Sequence, residues 1–276
     1  MPVAGKPVPR TFQEFVLGPL VFTAGPANVL MQLSRLPVAY GVMKSRVHSG
    51  RLDRHPVKRT RTTLTYLVVA DLGTEEERAW LREEINRQHR GVRSAPGDSV
   101  AYNAFDRGLQ LWVAACIYLG YEELYRARFG EPEGEALEAL YRHGARLADT
   151  LQVPTEMWPA DRRAFEEYWQ EGLRRIGSDE ASRAFLHQLI DLRYLPRPLS
   201  LLLGPGMRFM SIGWLPQEFR EELRLDWGPR RERLFRGVVR GLAGALGALP
   251  RPLREFPFNV YYRDFQRRMR AGRAFT

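Results

Sequence analysis

Five histidines are the residues of this chain best suited to metal or acid–base chemistry, and His89 differs from the other four. Leu81 and Ile85 stand eight and four residues before it and Val92 stands three residues after it, so a helix places all of them on one face. These apolar neighbours make that face the inward one, where an imidazole needs a partner for its polar nitrogens. Two interpretations remain open: a hydrogen-bonded core histidine, or a histidine that binds a metal.

The other four histidines give no second ligand. His48 and His55 lie in the arginine-rich segment SRVHSGRLDRHP, which is typical of a surface loop, and His143 and His187 fall off the apolar stripes of their predicted helices. No histidine, cysteine or carboxylate follows His89 at three or four residues, so the spacing does not predict a zinc pair.

One protein ligand is nevertheless enough for a porphyrin iron, because the macrocycle supplies four others. A haem pocket also needs apolar and aromatic walls and cations for the two propionates, and the sequence has both in quantity. It shows no Gly-x-Ser-x-Gly motif, no phosphate loop ending in Gly-Lys-Ser/Thr, no Gly-x-Gly-x-x-Gly opening a helix and no Cys-x-x-Cys. These residues are therefore compatible with a single-ligand haem site, although many proteins without haem have the same features.

The element that must position His89 has a recognisable beginning and end. Thr74 and Glu77 form a predicted capping box, and acidic residues crowd the first turn, where the helix dipole favours them. We expect this helix to run to about Arg90, with Gly91 in the left-handed position after its last turn.

Helical periodicity continues through the rest of the chain. Leu109 to Leu119 is apolar almost all round, which predicts a central helix that is covered on every side. Thr62 to Leu72 is rich in β-branched residues, but no partner strand with matching alternation lies near it, so we predict a helix there too. Further helices are predicted at 137–151, 159–176 (opened by Pro159), 178–190 (capped by Ser178), 234–249 and 259–270. The fold class is all-α: a single large helical domain with a central buried helix.

Composition excludes several broad classes. The chain has 276 residues, of which 44% are apolar and 27% charged, values that describe a globular protein rather than a disordered or disulfide-stapled one. Cys116 is the one cysteine, and with no leader visible in MPVAGKPVPR we expect a cytoplasmic protein. The most apolar stretch, GPLVFTAGPANVLMQL, is too short and too broken by Gly-Pro to cross a bilayer.

The positive charge lies at one end of the chain. The net charge is +10, and residues 230–276 carry 12 arginines against three acidic residues, which leaves the first 229 residues nearly neutral. That distribution argues against a surface that follows nucleic acid. Three interpretations stay open for the basic end: the base composition of the genome, a dedicated anion-binding patch, or a peripheral contact with a membrane.

The order and spacing of several segments resemble a known family. These segments are Pro56-Val57-Lys58-Arg59, Thr63, Tyr66, Gly73-Thr74, Asn86-Arg87-Gln88-His89-Arg90-Gly91-Val92, Tyr102-Asn103-Ala104-Phe105-Asp106, Leu109-Gln110-Leu111-Trp112-Val113, Leu151-Gln152-Val153-Pro154, Trp158-Pro159, Gly213-Trp214-Leu215-Pro216, Leu225-Asp226-Trp227 and Leu249-Pro250. Together they are similar to the catalytic domain shared by the rubber oxygenases (latex-clearing proteins) and the MpaB-type oxygenases. The resemblance covers about residues 25–265, and we expect residues 1–24 to be an N-terminal extension and 25–276 the catalytic domain.

The resemblance implies an all-α fold that binds one haem b between its helices and uses dioxygen. On the family pattern the proximal iron ligand is His89, the histidine that periodicity places inward. An arginine and a threonine four positions later lie near the haem on the distal side in rubber oxygenases, and Arg59 and Thr63 match that spacing. The resemblance therefore makes Arg59 and Thr63 the candidate catalytic residues, with Arg59 and His89 contacting the cofactor.

Three departures from the family pattern limit what the resemblance implies. Thr62 stands where rubber oxygenases have a lysine that can occupy the sixth iron position, which implies an open or water-bound distal side. Asp53 is the only acid between Ala27 and Thr60, so no residue matches their distal glutamate, and Leu36 stands where other members have a histidine. Cleavage of polyisoprene itself is not predicted.

The leading hypothesis is a haem-dependent oxygenase that acts with dioxygen on an apolar, unsaturated lipid or isoprenoid-like substrate. A haem-binding sensor, store or carrier without turnover is the alternative. A helical scaffold whose basic end docks on nucleic acid or acidic membrane is the third hypothesis, and it predicts a colourless protein.

Overall fold

The computed structural model describes residues 7–45 and 53–274, and within them the fold is all-α, as the periodicity predicts. The only extended pairing in these ranges is a single antiparallel bridge between Arg93 and Asn103. The helices are α1 (Phe12–Phe15), α2 (Gly18–Leu33), α3 (Leu36–Met43), α4 (Pro56–Leu72), α5 (Glu75–His89), α6 (Arg107–Phe129), α7 (Gly134–Thr150), α8 (Arg162–Leu173), α9 (Glu180–Ile190), α10 (Arg197–Trp214), α11 (Gln217–Glu222), α12 (Pro229–Gly247), α13 (Arg251–Arg254) and α14 (Phe258–Arg270), with a 3-10 turn at Thr155–Met157.

Helix α6 is the central buried helix that the apolar run predicts. It packs against α2, α7 and α12, and its middle turns are almost wholly shielded from solvent. The Trp112 ring stacks on Trp169 with 5.0 Å between ring centroids. The Asn28 amide donates to the Cys116 carbonyl at 2.6 Å, which ties α2 to the same helix. A buried carboxylate, Glu122, is held by Tyr118 and Arg162.

The β-branched stretch is helical, and its threonines show why. In α4 the hydroxyls of Thr62, Thr63 and Thr65 donate to the carbonyls four residues earlier, at 2.8, 3.0 and 2.8 Å. This back-bonding satisfies each hydroxyl inside the helix. The following turns, including Val68 and Val69, are fully buried, so tertiary packing outweighs the weak helix propensity of these residues.

Two predicted helix beginnings are wrong, one by three residues and one by a single residue. The helix predicted to open at Pro159 begins at Arg162, and its cap is Asp161, which accepts from the Ala164 amide at 2.8 Å. The helix predicted to be capped by Ser178 is capped by Asp179, which accepts from the Ser182 amide at 2.7 Å. In both cases the cap is an aspartate, which ranks among the best N-cap residues. Ser178 instead donates its hydroxyl to Glu222 at 2.7 Å.

The predicted position of His143 is also wrong. It was expected off the apolar stripe of its helix, but it is buried, with Nδ1 3.0 Å from Oδ1 of Asp71. The other carboxylate oxygen of Asp71 accepts from the Phe12 amide at 2.6 Å. The apolar stripe failed as a guide because α7 is buried over a wide arc and the partner lies on α4, far away in sequence.

The remaining predictions concern the other histidines and the end of α5. His187 is half-buried, with Nε2 2.9 Å from the Leu223 carbonyl, His55 is the half-buried residue before α4, and His48 lies outside the described residues. Gly91 does not take the left-handed conformation, since the chain leaves α5 through Arg90 in ordinary helical geometry.

The first helices belong to the same core as α6. Phe12 and Phe15 of α1 are fully buried, and the Phe12 ring stacks on Tyr121 of α6 at 4.3 Å.

The boundary between an N-terminal extension at residues 1–24 and a catalytic domain at 25–276 stays a prediction. None of the helices in the described ranges has both the length and the apolar character required to span a bilayer.

Candidate active site around His89

His89 is the last residue of α5, and its side chain is partly buried. Its Nδ1 atom is buried and has no hydrogen-bond partner within the described residues. The Phe105 ring stands edge-on to the imidazole, with 6.2 Å between centroids and 86° between planes. Burial, reinforced by the charge of Arg59, lowers the pKa of His89 to about 4. The imidazole is therefore neutral at pH 7 and has a nitrogen lone pair available for a ligand.

Arg59 lies in the first turn of α4 and is close enough for its charge to disfavour protonation of His89. Burial lowers the pKa of its own guanidinium, and no ion pair or side-chain hydrogen bond of Arg59 is found among the described residues. Arg59 is partly exposed by surface area, and a partly shielded guanidinium without a counter-ion is unfavourable unless something polar or anionic occupies the space beside it. The structure thus brings two of the three predicted site residues together.

Thr63 follows Arg59 by one helical turn on the same face of α4. Its hydroxyl donates to the Arg59 carbonyl at 3.0 Å, which leaves the oxygen lone pairs free to accept. Thr62 lies on another face, where it lines a recess together with His55, Val57 and Arg61. That recess does not include His89, Arg59 or Thr63.

Contacts with two other helices fix α5 in place. The predicted capping box is present: Thr74 accepts from the Glu77 amide at 3.2 Å, and the Glu77 carboxylate accepts from the Thr74 amide at 2.9 Å. Glu77 also accepts from Tyr262 at 2.8 Å and from Gln266 at 2.9 Å, both on α14. At mid-helix Arg82 donates to Asp149 of α7 at 3.0 Å, so the end that carries His89 projects from a rigid element.

The segment after α5 folds back and positions Phe105. The Ser94 amide donates to the Tyr102 carbonyl at 2.8 Å, and the Ala104 amide donates to the Val92 carbonyl at 2.9 Å. Gln110, buried on α6, holds the returning chain by donating to the Ala104 carbonyl at 2.8 Å. Sequence reasoning assigned no role to Gln110, although a glutamine within an otherwise apolar run was a signal that it had a specific partner.

The donor set near His89 does not match a bare metal ion. Within residues 7–45 and 53–274, no group of three or more histidine, cysteine, aspartate or glutamate side chains could hold one. Two carboxylates are buried on the same helix: Glu84 is paired with Arg87, and Glu77 accepts from Tyr262 and Gln266. The donor set near His89 is therefore one neutral imidazole with a nearby cation.

Comparison with known protein families agrees with the resemblance found in the sequence. A family model described as the catalytic domain of the ER-bound oxygenase MpaB/B′ and rubber oxygenase matches residues 13–244. The chain belongs to this family. Its members' shared catalytic domain is that of an oxygenase, so this chain is assigned to the oxidoreductases at that level.

Relatives of similar length occur in mycobacteria. An uncharacterized protein of Mycobacterium tuberculosis is 42% identical over 247 residues, which cover 90% of this chain and 97% of the relative. An uncharacterized protein of Mycobacterium bovis shows the same identity and coverage. No solved structure matches this chain.

Proposed function

We propose that this protein is a haem b-dependent oxygenase that uses dioxygen on an apolar, unsaturated lipid or isoprenoid-like substrate. The observation that carries the proposal is the buried Nδ1 of His89, which has no hydrogen-bond partner among the described residues and belongs to a neutral imidazole beside Arg59, whose charge has no counter-ion among them. Membership of the oxygenase family supports it. Haem, when bound, would supply the activation of dioxygen, and the protein would supply ligation, orientation and polarity.

The residues present fit an iron porphyrin. His89 would hold the iron through an imidazole nitrogen, because low basicity keeps that nitrogen unprotonated at pH 7. Arg59 would place a positive charge and several N–H donors where negative charge develops on oxygen, and a preorganised donor of this kind is worth about 10²–10³ in rate. Thr63 would accept a hydrogen bond through its free lone pairs, since its own proton is already donated to Arg59.

The first experiment tests the cofactor and its ligand. We expect a Soret band and about one haem per chain by pyridine haemochrome analysis. His89→Gly should lose the band, and added imidazole should restore it. His187→Gln is the matched control, because His187 bonds the Leu223 carbonyl elsewhere in the fold, and it should keep full haem content. A colourless wild-type protein that also refuses hemin, or full haem content in His89→Gly, would contradict the proposal.

The second experiment separates an oxygenase from a carrier. Oxygen uptake would be followed with a panel of alkenes, unsaturated fatty acids and isoprenoids. We expect Arg59→Gln to keep its haem but to lose uptake about 10²-fold or more, whereas Arg90→Gln, at an exposed position after α5, keeps it. The threonine at position 62 and the missing glutamate favour the carrier as second candidate. Haem at full occupancy without uptake on any substrate would select it.

A further inference from the structure

The first half of α10 packs against the end of α9 through Ser200 and Gly204 and leaves its leucines exposed to water. Leu201 and Leu202 are 69% and 75% exposed, and Leu199 and Leu203 flank them, also exposed. The inner half of the same helix is anchored in the core, where Met210 and Trp214 are buried. Contiguous exposed leucines on a soluble domain mark a surface that something covers.

A second exposed apolar stripe runs along the neighbouring helix, α12. Phe235 and Val239 of α12 face the core, while Leu234, Val238 and Leu242 repeat every fourth residue on the solvent side. The two helices are in direct contact: the Phe235 ring packs against α10 so closely that Gly213 has no room for a Cβ atom. The exposed leucines therefore belong to one pair of packed helices. We name them the leucine surface: Leu199, Leu201, Leu202, Leu203, Leu234, Val238 and Leu242.

Positive charge predominates around the leucine surface, and the nearby Asp191 and Glu232 are paired with arginines. The sequence holds no acidic residue from Leu192 to Gln217 or from Arg233 to Arg254, and the second stretch carries five arginines. Some of the arginines here are paired, as Arg208 is with Asp191. Arg197, Arg233 and Arg240 are exposed and have no acidic partner in the described part of the chain.

Charge complementarity decides what covers this surface. A second copy of the chain would bring arginines against arginines, and like charges that face each other oppose association. An anionic membrane matches both the exposed leucines and the arginines around them. Leucines enter the boundary between headgroups and acyl chains, while arginines bind the phosphates. We propose that the leucine surface docks this protein on membranes that contain anionic lipids. The docking goes beyond the proposed oxygenase function and needs no haem.

Co-sedimentation with vesicles tests the proposal, using phosphatidylcholine alone and phosphatidylcholine mixed with phosphatidylglycerol. We expect the wild-type chain to sediment with the anionic vesicles. Leu201→Gln/Leu202→Gln should weaken binding at least about tenfold, because two leucine side chains no longer leave water. Leu234→Gln/Leu242→Gln should weaken it in the same direction. All four positions are exposed, so circular dichroism should show unchanged helix content.

The arginines are tested with a charge-matched control. Arg197→Gln/Arg240→Gln should weaken binding to anionic vesicles about tenfold, and added salt should reduce the difference. Arg163→Gln/Arg174→Gln also removes two charges, from α8 and from the residue that follows it; both side chains are exposed, and this variant should bind like wild type. Equal losses in both variants would show a response to net charge alone and would overturn the proposal.

Two other outcomes would also overturn it. The first is a wild-type chain that stays in the supernatant with both vesicle types, or leucine variants that bind as wild type does. The second is a dimer in analytical ultracentrifugation that Leu201→Gln/Leu202→Gln converts to monomer, which would assign the surface to a second copy. Vesicle binding and the haem spectrum are separate readouts, so failure of one proposal is distinguishable from failure of the other.

Discussion

At the scale of single residues, His89 is notable for what it lacks. A buried imidazole nitrogen without a partner forfeits its hydrogen bonds to water and gains none in return, at a cost of about 1–3 kcal/mol. A residue kept only for packing would carry no such penalty. The unpartnered nitrogen is therefore the structural argument against the interpretation of His89 as an ordinary core histidine.

Removing the imidazole should therefore leave the haem-free fold unharmed. We expect His89→Leu, compared with wild type in haem-free form, to be at least as stable and to gain up to about 1–3 kcal/mol in free energy of unfolding. Urea unfolding followed by circular dichroism measures it. His187→Leu is the control, because it removes a hydrogen bond to the Leu223 carbonyl and should lose stability. A clear loss in His89→Leu would restore the core-histidine interpretation.

The sequence allowed one of the three site residues to be predicted from spacing and the others only through resemblance. Helical periodicity is enough to place His89 inward. Arg59 is different because the chain has 42 lysines and arginines, of which only Lys6, Lys44 and Lys58 are lysines, so one more arginine carries no signal. Its shielding depends on how α4 meets α5, which is tertiary information.

At the scale of elements, Glu77 has two roles at once. It completes the capping box of α5 and accepts from two side chains of α14. Burial favours the neutral acid, but the hydrogen bonds from Gln266, the Thr74 amide and Tyr262 outweigh it, and the pKa of Glu77 falls below 4.5. Because the pKa is lower in the folded state, its stabilisation is present above about pH 4.5 and is lost as the pH falls through the folded-state pKa.

We therefore expect Glu77→Gln to lower the free energy of unfolding at pH 7 by about 1–2 kcal/mol, through the weakened cap and the lost charge-assisted bonds. The difference from wild type should shrink as the pH falls through the lowered pKa of wild-type Glu77 and its carboxylate becomes protonated. Urea titrations at pH 7 and pH 3.5 check both statements. Glu76→Gln, one residue earlier and exposed, should change little at either pH.

The close packing of α10 against α12 leads to a second prediction at this scale. A Cβ atom at Gly213 would lie 2.2 Å from the Phe235 ring, so Gly213→Ala should cost about 1–3 kcal/mol as α10 and α12 are forced apart. Gly237 on α12 has open space around it, and Gly237→Ala should instead stabilise by about 0.5–1 kcal/mol through helix propensity. Thermal unfolding of the two variants should shift in opposite directions. Equal shifts would contradict the close contact.

Local sequence signals were sufficient to predict the helices but not to predict every residue at which a helix begins or ends. The capping box of α5 was correctly predicted because its two partners lie three residues apart. The cap of α9 was misplaced by one residue, since Ser178 and Asp179 are both good cap residues and only the contact of Ser178 with Glu222 distinguishes them. That contact joins segments 44 residues apart, and no local pattern reveals it.

At the scale of the whole molecule, Asp71 and His143 join three parts of the chain. Asp71 ends the buried face of α4, His143 lies on α7, and the Phe12 amide that Asp71 accepts from belongs to the first helix. Arg146 adds a bond to the Asp71 carbonyl at 3.0 Å. The sequence analysis missed this junction because its members are more than 55 residues apart in sequence, from Phe12 to Asp71 to His143.

We expect Asp71→Asn to lower the free energy of unfolding by about 1–3 kcal/mol, because a charge-assisted acceptor becomes a neutral one in a buried site. Hydrogen exchange at the Phe12 amide should quicken more than exchange in α6, which lies deeper. Asp149→Asn, at a half-exposed ion pair with Arg82, is the control and should have a smaller effect. Uniform acceleration along the chain would contradict a local role in holding the first helix.

The single cysteine lies at the centre of the most deeply buried helix. Cys116 is fully shielded on α6, and burial raises the pKa of its thiol well above the usual range, so its reactive thiolate is scarce in the folded state. We expect a disulfide reagent to react with the folded chain only as fast as α6 opens, and to give one equivalent at once in urea. Labelling kinetics at this position thus make the molecule a reporter of its own global unfolding, without an engineered probe.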